Sequence, residues 1–341
     1  MLLWCDSFGN YGTTTNAAPS PAGVISRKYP VIANESVMRI RDGRLSGYAI
    51  DVMDSFGYLG KSNLTTNDTV VVGIAVKAAS LSNSFPFLSL YDDATLGINL
   101  RFTTEGQIEV RRGGTVVLKT STAAGLTINN WFYVELKVKC NSSTGTFEVR
   151  VGGVDVCSDT GQNTKAGTHD YHNGFRLSTN LAACSLCDLY VLDASGAINN
   201  DFLGNSRVVT IRPNAATGDV DFTPDSGDNY ARVGEVICDD DTSYVESGTS
   251  TNKDLYGYAA IGLTADIAGV MVCTDCRETD ASSFSIKTVC LSDATESADA
   301  GQAIGSTGYV TRSRVIEQDP DGPATWTHTS LDAAAFGMEV V

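Results

Sequence analysis

The stretch from Trp131 to Val156 constrains the fold of this chain most strongly. Between residues 132 and 140, apolar side chains alternate with polar or charged ones, which is the period-two pattern of a half-buried β-strand. A polar segment at 141–145 separates this run from a second alternating run that ends at a Gly-Gly pair, and together they predict a β-hairpin. Residues 106–119 predict another pair of short strands around a Gly-Gly turn. Four strands joined in this way need a second sheet to cover their apolar face, so the pattern predicts a sandwich.

The composition agrees with an all-β chain. Of its 341 residues, 42% are hydrophobic, 19% are charged and 33 are glycine, which provides for a large core and many turns. No long run has the 3.6-residue apolar period of a helix. A turn-rich segment ends near residue 203, and a new strand pattern begins at Ser206. We therefore predict an antiparallel β-sandwich over residues 1–203 and a smaller β-sandwich-like domain over residues 204–341.

Several short segments carry a resemblance to a known family. Four of them follow one another in order: an Ile-Glu-Val strand, a Gly-Gly turn, the strand that begins at Trp131 and a Glu-Val-Arg-Val strand. In this order of segments, residues 1–203 of the chain resemble the concanavalin-A-like or laminin-G-like jelly roll. The segment Asp188-Leu-Tyr-Val-Leu-Asp, the segment Asn200-Asp-Phe-Leu-Gly and the closing segment 326–340 resemble tailed-bacteriophage virion proteins that carry this domain.

The resemblance implies a function without catalysis. The protein would be a virion structural protein and not an enzyme, attached to the capsid as a decoration protein or to the tail as an adsorption component. Its partners would be other virion proteins and a host surface glycan, and it would form a homo-oligomer, with a trimer favoured. The first six residues contain only a very short apolar run, so we expect no signal peptide, synthesis in the host cytoplasm and a final location in the virion.

The charge balance excludes two classes of partner. The formal net charge is −16 and the sequence pI is about 4.5, so the chain repels phosphate backbones and anionic lipid surfaces. No basic stripe with interleaved aromatic residues is present, and no segment has the length of about 18 apolar residues that a membrane span needs. We expect neither nucleic acid nor membrane as a partner.

Catalytic and cofactor motifs are missing from the sequence. It contains no paired-carboxylate pattern Glu-x-Asp-x-x-Glu, no nucleophile turn Gly-x-Ser-x-Gly and no phosphate-binding loop, so no catalytic residue or cofactor is predicted. Calcium is the metal ion that the acidic loops would bind, through hard carboxylate oxygens. The candidate ligands are Asp239, Asp240, Asp241, Asp319 and Asp321, together with the pair Asp92-Asp93.

Two other groups of residues offer nitrogen or sulfur ligands for a metal ion. His169, Asp170 and His172 share one polar loop and could ligate a metal if that loop folds back. The nine cysteines include two C-x-x-C pairs, one at 184 and 187 and one at 273 and 276, with spacing that suits zinc. Plain thiols are the default expectation, because the first pair enters a strand that would direct the two thiols to opposite faces.

A second class of function is a carbohydrate-binding lectin or a glycoside hydrolase of the concanavalin-A-like fold. A lectin needs aromatic side chains on an open sheet face, where their rings can lie against a sugar. The candidate aromatic residues are Tyr11, Tyr58, Tyr91 and Trp326, which could equally well be packing residues.

Overall fold

The computed structural model describes residues 1–12, 23–52, 57–81, 86–122, 125–178, 184–280, 283–322 and 324–341. The chain divides into two compact units, Met1–Val209 and Thr210–Val341. The change of unit falls a few residues after the predicted boundary at 203. No helix among the described residues is long and apolar enough to cross a membrane.

The first unit is built almost entirely from antiparallel strands, as predicted. Its short helices are α1 (Val24–Lys28) and two 3₁₀ turns (Glu35–Val37 and Arg44–Ser46). Its described strands are β1 (Leu2–Asp6), β2 (Val31–Ala33), β3 (Met38–Asp42), β4 (Tyr48–Val52), β5 (Tyr58–Lys61), β6 (Thr69–Ala78), β7 (Pro86–Asp92), β8 (Thr95–Phe102), β9 (Ile108–Arg112), β10 (Val116–Thr120), β11 (Trp131–Lys139), β12 (Gly145–Val151), β13 (Val154–Gln162), β14 (Gly174–Leu177) and β15 (Cys184–Asp193).

These strands form two sheets that face each other. The eight-stranded sheet has the order β13-β12-β11-β6-β15-β4-β3, with β1 also paired to β15, and the seven-stranded sheet has the order β10-β9-β8-β7-β14-β5-β2. Residues of both sheets line one small cavity, including Val70 and Val191 from the larger sheet and Leu90 and Phe175 from the smaller one. The first unit is therefore a β-sandwich with its core between the two sheets.

The alternation seen in the sequence decides which side chains enter this core. On β11, Val134, Leu136 and Val138 are fully buried, and Glu135 and Lys137 point to the other face of the sheet. The hairpin of β11 and β12 pairs in one continuous register from Val134 with Val151 to Lys139 with Thr146. The predicted hairpin is confirmed.

The outer face of the eight-stranded sheet is covered by residues 201–208, which we call the covering segment. Its Gly204 N–H donates to Glu135 Oε1 at 2.8 Å, and its Val208 N–H donates to Asp188 Oδ1 at 2.9 Å. The ring of Phe202 lies 4.0 Å from the guanidinium carbon of Arg150. On β15, which is buried along its whole length, this segment contacts the outward-facing Asp188 and Tyr190.

The described residues of the second unit form a six-stranded sheet and three two-stranded ones. The larger sheet has the order β16-β19-β27-β21-β22, with β23 also paired to β21, and the small ones join β17 to β18, β20 to β24 and β25 to β26. Its helices are α2 (Asn229–Arg232), α3 (His328–Ala333) and a 3₁₀ turn (Asp240–Thr242). The strands are β16 (Pro213–Val220), β17 (Thr223–Pro224), β18 (Val245–Glu246), β19 (Lys253–Tyr258), β20 (Val270–Cys276), β21 (Ser285–Ser292), β22 (Thr295–Ala298), β23 (Gln302–Ala303), β24 (Val310–Ile316), β25 (Gln318–Asp319), β26 (Ala324–Thr325) and β27 (Ala335–Val340).

A cluster around Trp326 forms the main core of the second unit. Trp326 and Phe336 pack with ring centroids 6.0 Å apart, and Ile316, Leu331 and Cys290 complete the buried cluster. The indole N–H of Trp326 donates to the carbonyl of Ile316 at 3.1 Å, so its one polar atom is satisfied inside the core.

Candidate functional site

The outer face of the seven-stranded sheet carries a contiguous polar surface, which we call the arginine face. Cross-strand pairing places Arg176 of β14 opposite Ser89 of β7, Ser89 opposite Asn99 of β8, and Asn99 opposite Arg111 of β9. Residues directly opposite each other in antiparallel strands point to the same side of the sheet. The arginine face consists of Tyr58, Ser89, Tyr91, Asn99, Arg101, Glu109, Arg111 and Arg176.

At one end of this face, Arg176 lies between two tyrosine rings. Its guanidinium carbon is 4.6 Å from the ring centroid of Tyr58 and 4.0 Å from that of Tyr91, and its Nη1 donates to the Tyr91 hydroxyl at 3.3 Å. All three side chains are half-buried. Stacking on aromatic rings holds a guanidinium in a defined orientation with part of its donor edge accessible.

Gly60 makes this arrangement possible. It pairs directly with Arg176 across β5 and β14, and a Cβ at residue 60 would lie 3.0 Å from Arg176 Cγ and 2.1 Å from the carbonyl oxygen of Phe175. Because glycine has no side chain, the stem of Arg176 can cross β5 towards Tyr58.

Two more guanidinium groups converge in the middle of the face. Arg101 Nη2 and Arg111 Nη1 donate to the same acceptor, the carbonyl oxygen of Gly114, at 3.2 and 3.5 Å. Glu109 is the one carboxylate of the arginine face; it pairs with Arg111 and lies directly across from Arg101. Burial lowers the pKa of Arg101, and the positive charge of Arg111 lowers it further, against the opposing effect of Glu109.

The floor of the face contains an amide with unused hydrogen-bonding capacity. Asn99 is fully buried, and its Oδ1 accepts from Arg101 Nε at 3.0 Å. This bond identifies Oδ1 as the acceptor end of the amide. The other end, Nδ2, has no hydrogen-bond partner among the residues that the structure describes. A buried amide without a partner is unfavourable by about 1–3 kcal/mol, and a bound water, an ion or a ligand group would remove this penalty.

A candidate metal group lies in the loops beside β7. Within the described ranges, Asp92, Asp93 and His169 bring their ligand atoms within 4.8 Å of one another. His169 Nδ1 is 2.6 Å from Asp92 Oδ1, and the backbone N–H of His169 donates to Asp92 Oδ2 at 2.9 Å. Burial raises the pKa of Asp92, but these two bonds outweigh that effect and lower it. Asn173 Nδ2 donates to Asp93 Oδ1 at 2.7 Å, so protein donors already satisfy three of the four carboxylate oxygens, and we interpret the group as a loop anchor.

The structure separates the residues of the predicted histidine site. Asp170 pairs with Lys165 at 2.9 Å, and His172 is turned into the core with 2% exposure. Within the described part of the chain, neither ring nitrogen of His172 has a hydrogen-bond partner, and burial lowers the pKa of the ring to about 4. The ring fills the space left by Gly97, where a Cβ would lie 2.2 Å from Nε2. The sequence spacing suggested one site, but His169 bonds to Asp92, Asp170 pairs with Lys165 and His172 enters the core.

The other predicted calcium ligands are bound to neighbouring side chains. Asp241 accepts from Arg277 Nη2 at 2.8 Å and from the Tyr309 hydroxyl at 2.9 Å, and Asp239 accepts from the Ser243 backbone at 3.1 Å. In the second loop, the Asp321 N–H donates to Asp319 Oδ1 at 3.1 Å, and Asp321 Oδ1 accepts from Thr295 at 2.8 Å. Asp240 adopts a positive φ of 62° beside Asp239. A calcium site at these five aspartates stays a prediction.

Two of the four aromatic candidates lie on the arginine face, and the other two lie in the core. Tyr58 and Tyr91 meet on the arginine face, and Tyr11 and Trp326 are core residues with 2% and 3% exposure. The Tyr11 hydroxyl donates to Asp6 at 2.6 Å. Within the described ranges, none of the nine cysteines is in a disulfide bond.

Sequence patterns did not reveal the arginine face or a second polar cluster beneath the covering segment. In that cluster the Tyr190 hydroxyl donates to Glu135, the Tyr133 hydroxyl donates to the Asp188 carbonyl at 3.0 Å, and Arg44 donates to the Asp188 carboxylate at 3.0 Å. Alternating polar residues on strands were the available signal, but they are typical of any solvent-facing sheet side.

Comparisons with known proteins add a likeness to solved structures. No protein-family model and no curated protein matches the sequence. The chain is similar to an endo-β-1,4-glucuronan lyase from Trichoderma reesei, with 12% identity over 52% of this chain and 95% of that one and a TM-score of 0.39. It is also similar to the alginate lyase Aly36B, with 11% identity over 55% of this chain and 96% of that one and a TM-score of 0.37. A third similar structure is domain 4 of an extracellular arabinanase from Geobacillus stearothermophilus, with 14% identity over 45% of this chain, 74% of that one and a TM-score of 0.33.

This finding corrects one prediction. Two of these structures are glycan lyases and the third is a domain of an arabinanase, which contradicts the prediction that the chain is not an enzyme, and we withdraw it. At these identities and TM-scores, the likeness does not select a reaction or a substrate for this chain. The placement in a virion, the virion partners and the trimer stay predictions.

Proposed function

We propose that the first unit binds a glycan chain on the arginine face. The observation that carries the proposal is the arrangement of Tyr58, Arg176 and Tyr91 on the outside of the seven-stranded sheet. Saccharide sites need amphipathic rings together with a few fixed polar donors, and this group provides both.

The rest of the face extends the same surface over several sugar units. β5, β14, β7, β8 and β9 are adjacent strands, and neighbouring strands are about 4.8 Å apart. The five strands from Tyr58 to Arg111 therefore span about 19 Å, enough for several linked sugar rings. Asn99 and Ser89 at the floor of this surface offer hydrogen-bonding groups of the kind that recognise hydroxyl groups.

The proposal is tested by calorimetric titration of the full chain with a panel of neutral and anionic oligosaccharides. Tyr91→Ala and Arg176→Ala are each expected to weaken binding about tenfold or more, because they remove an aromatic ring and the guanidinium group stacked on it. Arg112→Gln is the matched control, since Arg112 follows Arg111 on β9 and points to the opposite side of the sheet. The same mixtures are followed by size-exclusion chromatography, which reports whether the bound glycan is cleaved. Binding that is unchanged in both alanine variants would refute the proposal.

Attachment to a phage capsid or tail is a separate proposal that rests on the sequence resemblance. Immunogold electron microscopy of virions, with antibody against residues 1–203, would test it. Label on the head would support decoration, label on the tail would support adsorption, and virions without label would contradict both.

A further inference from the structure

We propose that the glycan is anionic and that Arg101 and Arg111 bind a carboxylate group on it. This inference rests on the proposed function, because it assigns a substrate class, the uronate-containing polysaccharides, to the same face. The observations behind it concern the charge of the face, the geometry of its donors and the Asn99 amide.

Positive charge is concentrated on the arginine face. Among the described residues it holds three guanidinium groups, from Arg101, Arg111 and Arg176, and one carboxylate, from Glu109. The chain as a whole carries a formal charge of −16, so this excess of positive charge is local and opposite in sign to the rest of the molecule. A positive surface on an acidic protein attracts an anionic ligand selectively, since other surfaces repel it.

The donor geometry suits a planar anion. Arg101 and Arg111 lie on neighbouring strands and direct N–H groups at one shared acceptor, the carbonyl of Gly114. Two guanidinium groups held close together repel each other, and a carboxylate that bridges the two side chains would offset this repulsion with charge-assisted hydrogen bonds. Arginine forks match the spacing of the two carboxylate oxygens.

Asn99 provides a neutral donor beside these charges. Its buried Nδ2 lacks a partner in the described ranges, while its Oδ1 accepts from Arg101. An anion that displaces the Arg101 side chain slightly would bring an acceptor to Nδ2 and satisfy it. A neutral sugar hydroxyl would satisfy Nδ2 equally well, but Glu109 is then the one carboxylate beside two guanidinium groups, and one positive charge of the pair stays uncompensated. The pair of arginines therefore favours the carboxylate.

The test compares oligosaccharides that differ only in charge. The full chain is titrated with tetrasaccharides of galacturonic, glucuronic and mannuronic acid, each beside its methyl ester, which removes the charge and keeps the sugar. We expect at least one acid to bind about tenfold or more tighter than its ester, with a preference that falls as salt is raised. Equal binding of acid and ester that is still lost in Tyr91→Ala would overturn this inference and leave the proposed function standing. Absence of binding to every glycan would overturn both.

Variants on β9 locate the charge effect. The preference is the ratio of the ester's Kd to the acid's Kd. Arg111→Gln should lower this ratio towards one, and Arg112→Gln should leave it unchanged. Because Arg111→Gln leaves Glu109 without its partner, the double variant Glu109→Gln with Arg111→Gln serves as a second test that removes both charges of the pair. A retained preference in both variants would overturn the assignment. Tighter binding of a sulfated glycan or single-stranded DNA than of any uronate would overturn it as well.

Discussion

Replacing Tyr190 with phenylalanine tests whether the buried polar cluster beneath the covering segment stabilises the first unit. The Tyr190 hydroxyl donates to Glu135 Oε1 and accepts from the Leu203 backbone N–H at 3.2 Å. Glu135 is fully buried and Tyr190 is 2% exposed, so water does not readily replace the lost group. A hydrogen bond to a buried charged group contributes about 1.5–3 kcal/mol to stability. The Leu203 N–H also loses its acceptor in the variant, which destabilises the folded state further. We expect Tyr190→Phe to lower the free energy of opening of the surrounding strands β6, β11 and β15 by about 2–4 kcal/mol.

Tyr133 provides the matched control on the same sheet face. Its ring lies 6.2 Å from that of Tyr190, and it is 3% exposed, but its hydroxyl donates to a neutral acceptor, the Asp188 carbonyl. Loss of a neutral hydrogen bond lowers stability by about 1 kcal/mol, so Tyr133→Phe should have the smaller effect.

Native-state hydrogen exchange of β6, β11 and β15 is the suitable assay. A chain with two units does not unfold in one two-state step, and exchange measures the opening of these strands separately from the second unit. If Tyr190→Phe lowers the opening free energy no more than Tyr133→Phe does, the argument that the Glu135 carboxylate strengthens this bond is refuted.

Three further predictions concern pH and packing. His172 has a pKa of about 4 in the folded chain against 6.5 when exposed. The free energy of unfolding should therefore fall by up to about 3 kcal/mol as pH drops through this interval. In urea titrations, His172→Leu should remove the share of this fall that comes from the histidine. The lowered pKa of Asp92 stabilises the fold above its ordinary value of 3.8 and ceases to do so in stronger acid; Asp92→Asn should therefore be less stable than the wild type by about 1–2 kcal/mol at neutral pH, with a difference that disappears on acidification. Gly60→Ala should destabilise the first unit and weaken glycan binding, since its Cβ would meet the Phe175 carbonyl at 2.1 Å, whereas Gly218→Ala, with open space around it, should do neither.

The position of each candidate residue depended on non-local pairing. Asp92 and His169 were recognised separately as members of an acidic turn and a histidine loop, but 77 residues separate them, and they meet because β7 and β14 are neighbours in the sheet. His172, three residues further on, enters the core. Spacing along a loop does not indicate which side chain turns inwards, because that depends on the space offered by a neighbour such as Gly97.

Local alternation by itself determined the class of fold and the strands of the central hairpin. On β11 and β12, a register shift by one residue would turn Val134, Leu136 and Val138 away from the core, so the alternation determines which face of the hairpin is buried. Tertiary structure alone decided which surface could be a site. Tyr58, Tyr91 and Arg176 lie on three strands that are far apart in the chain and adjacent in the sheet, and only the register of those strands brings them to one face. The covering segment then closes the outer face of the other sheet, which leaves the arginine face as the polar surface of the sandwich where we expect a ligand.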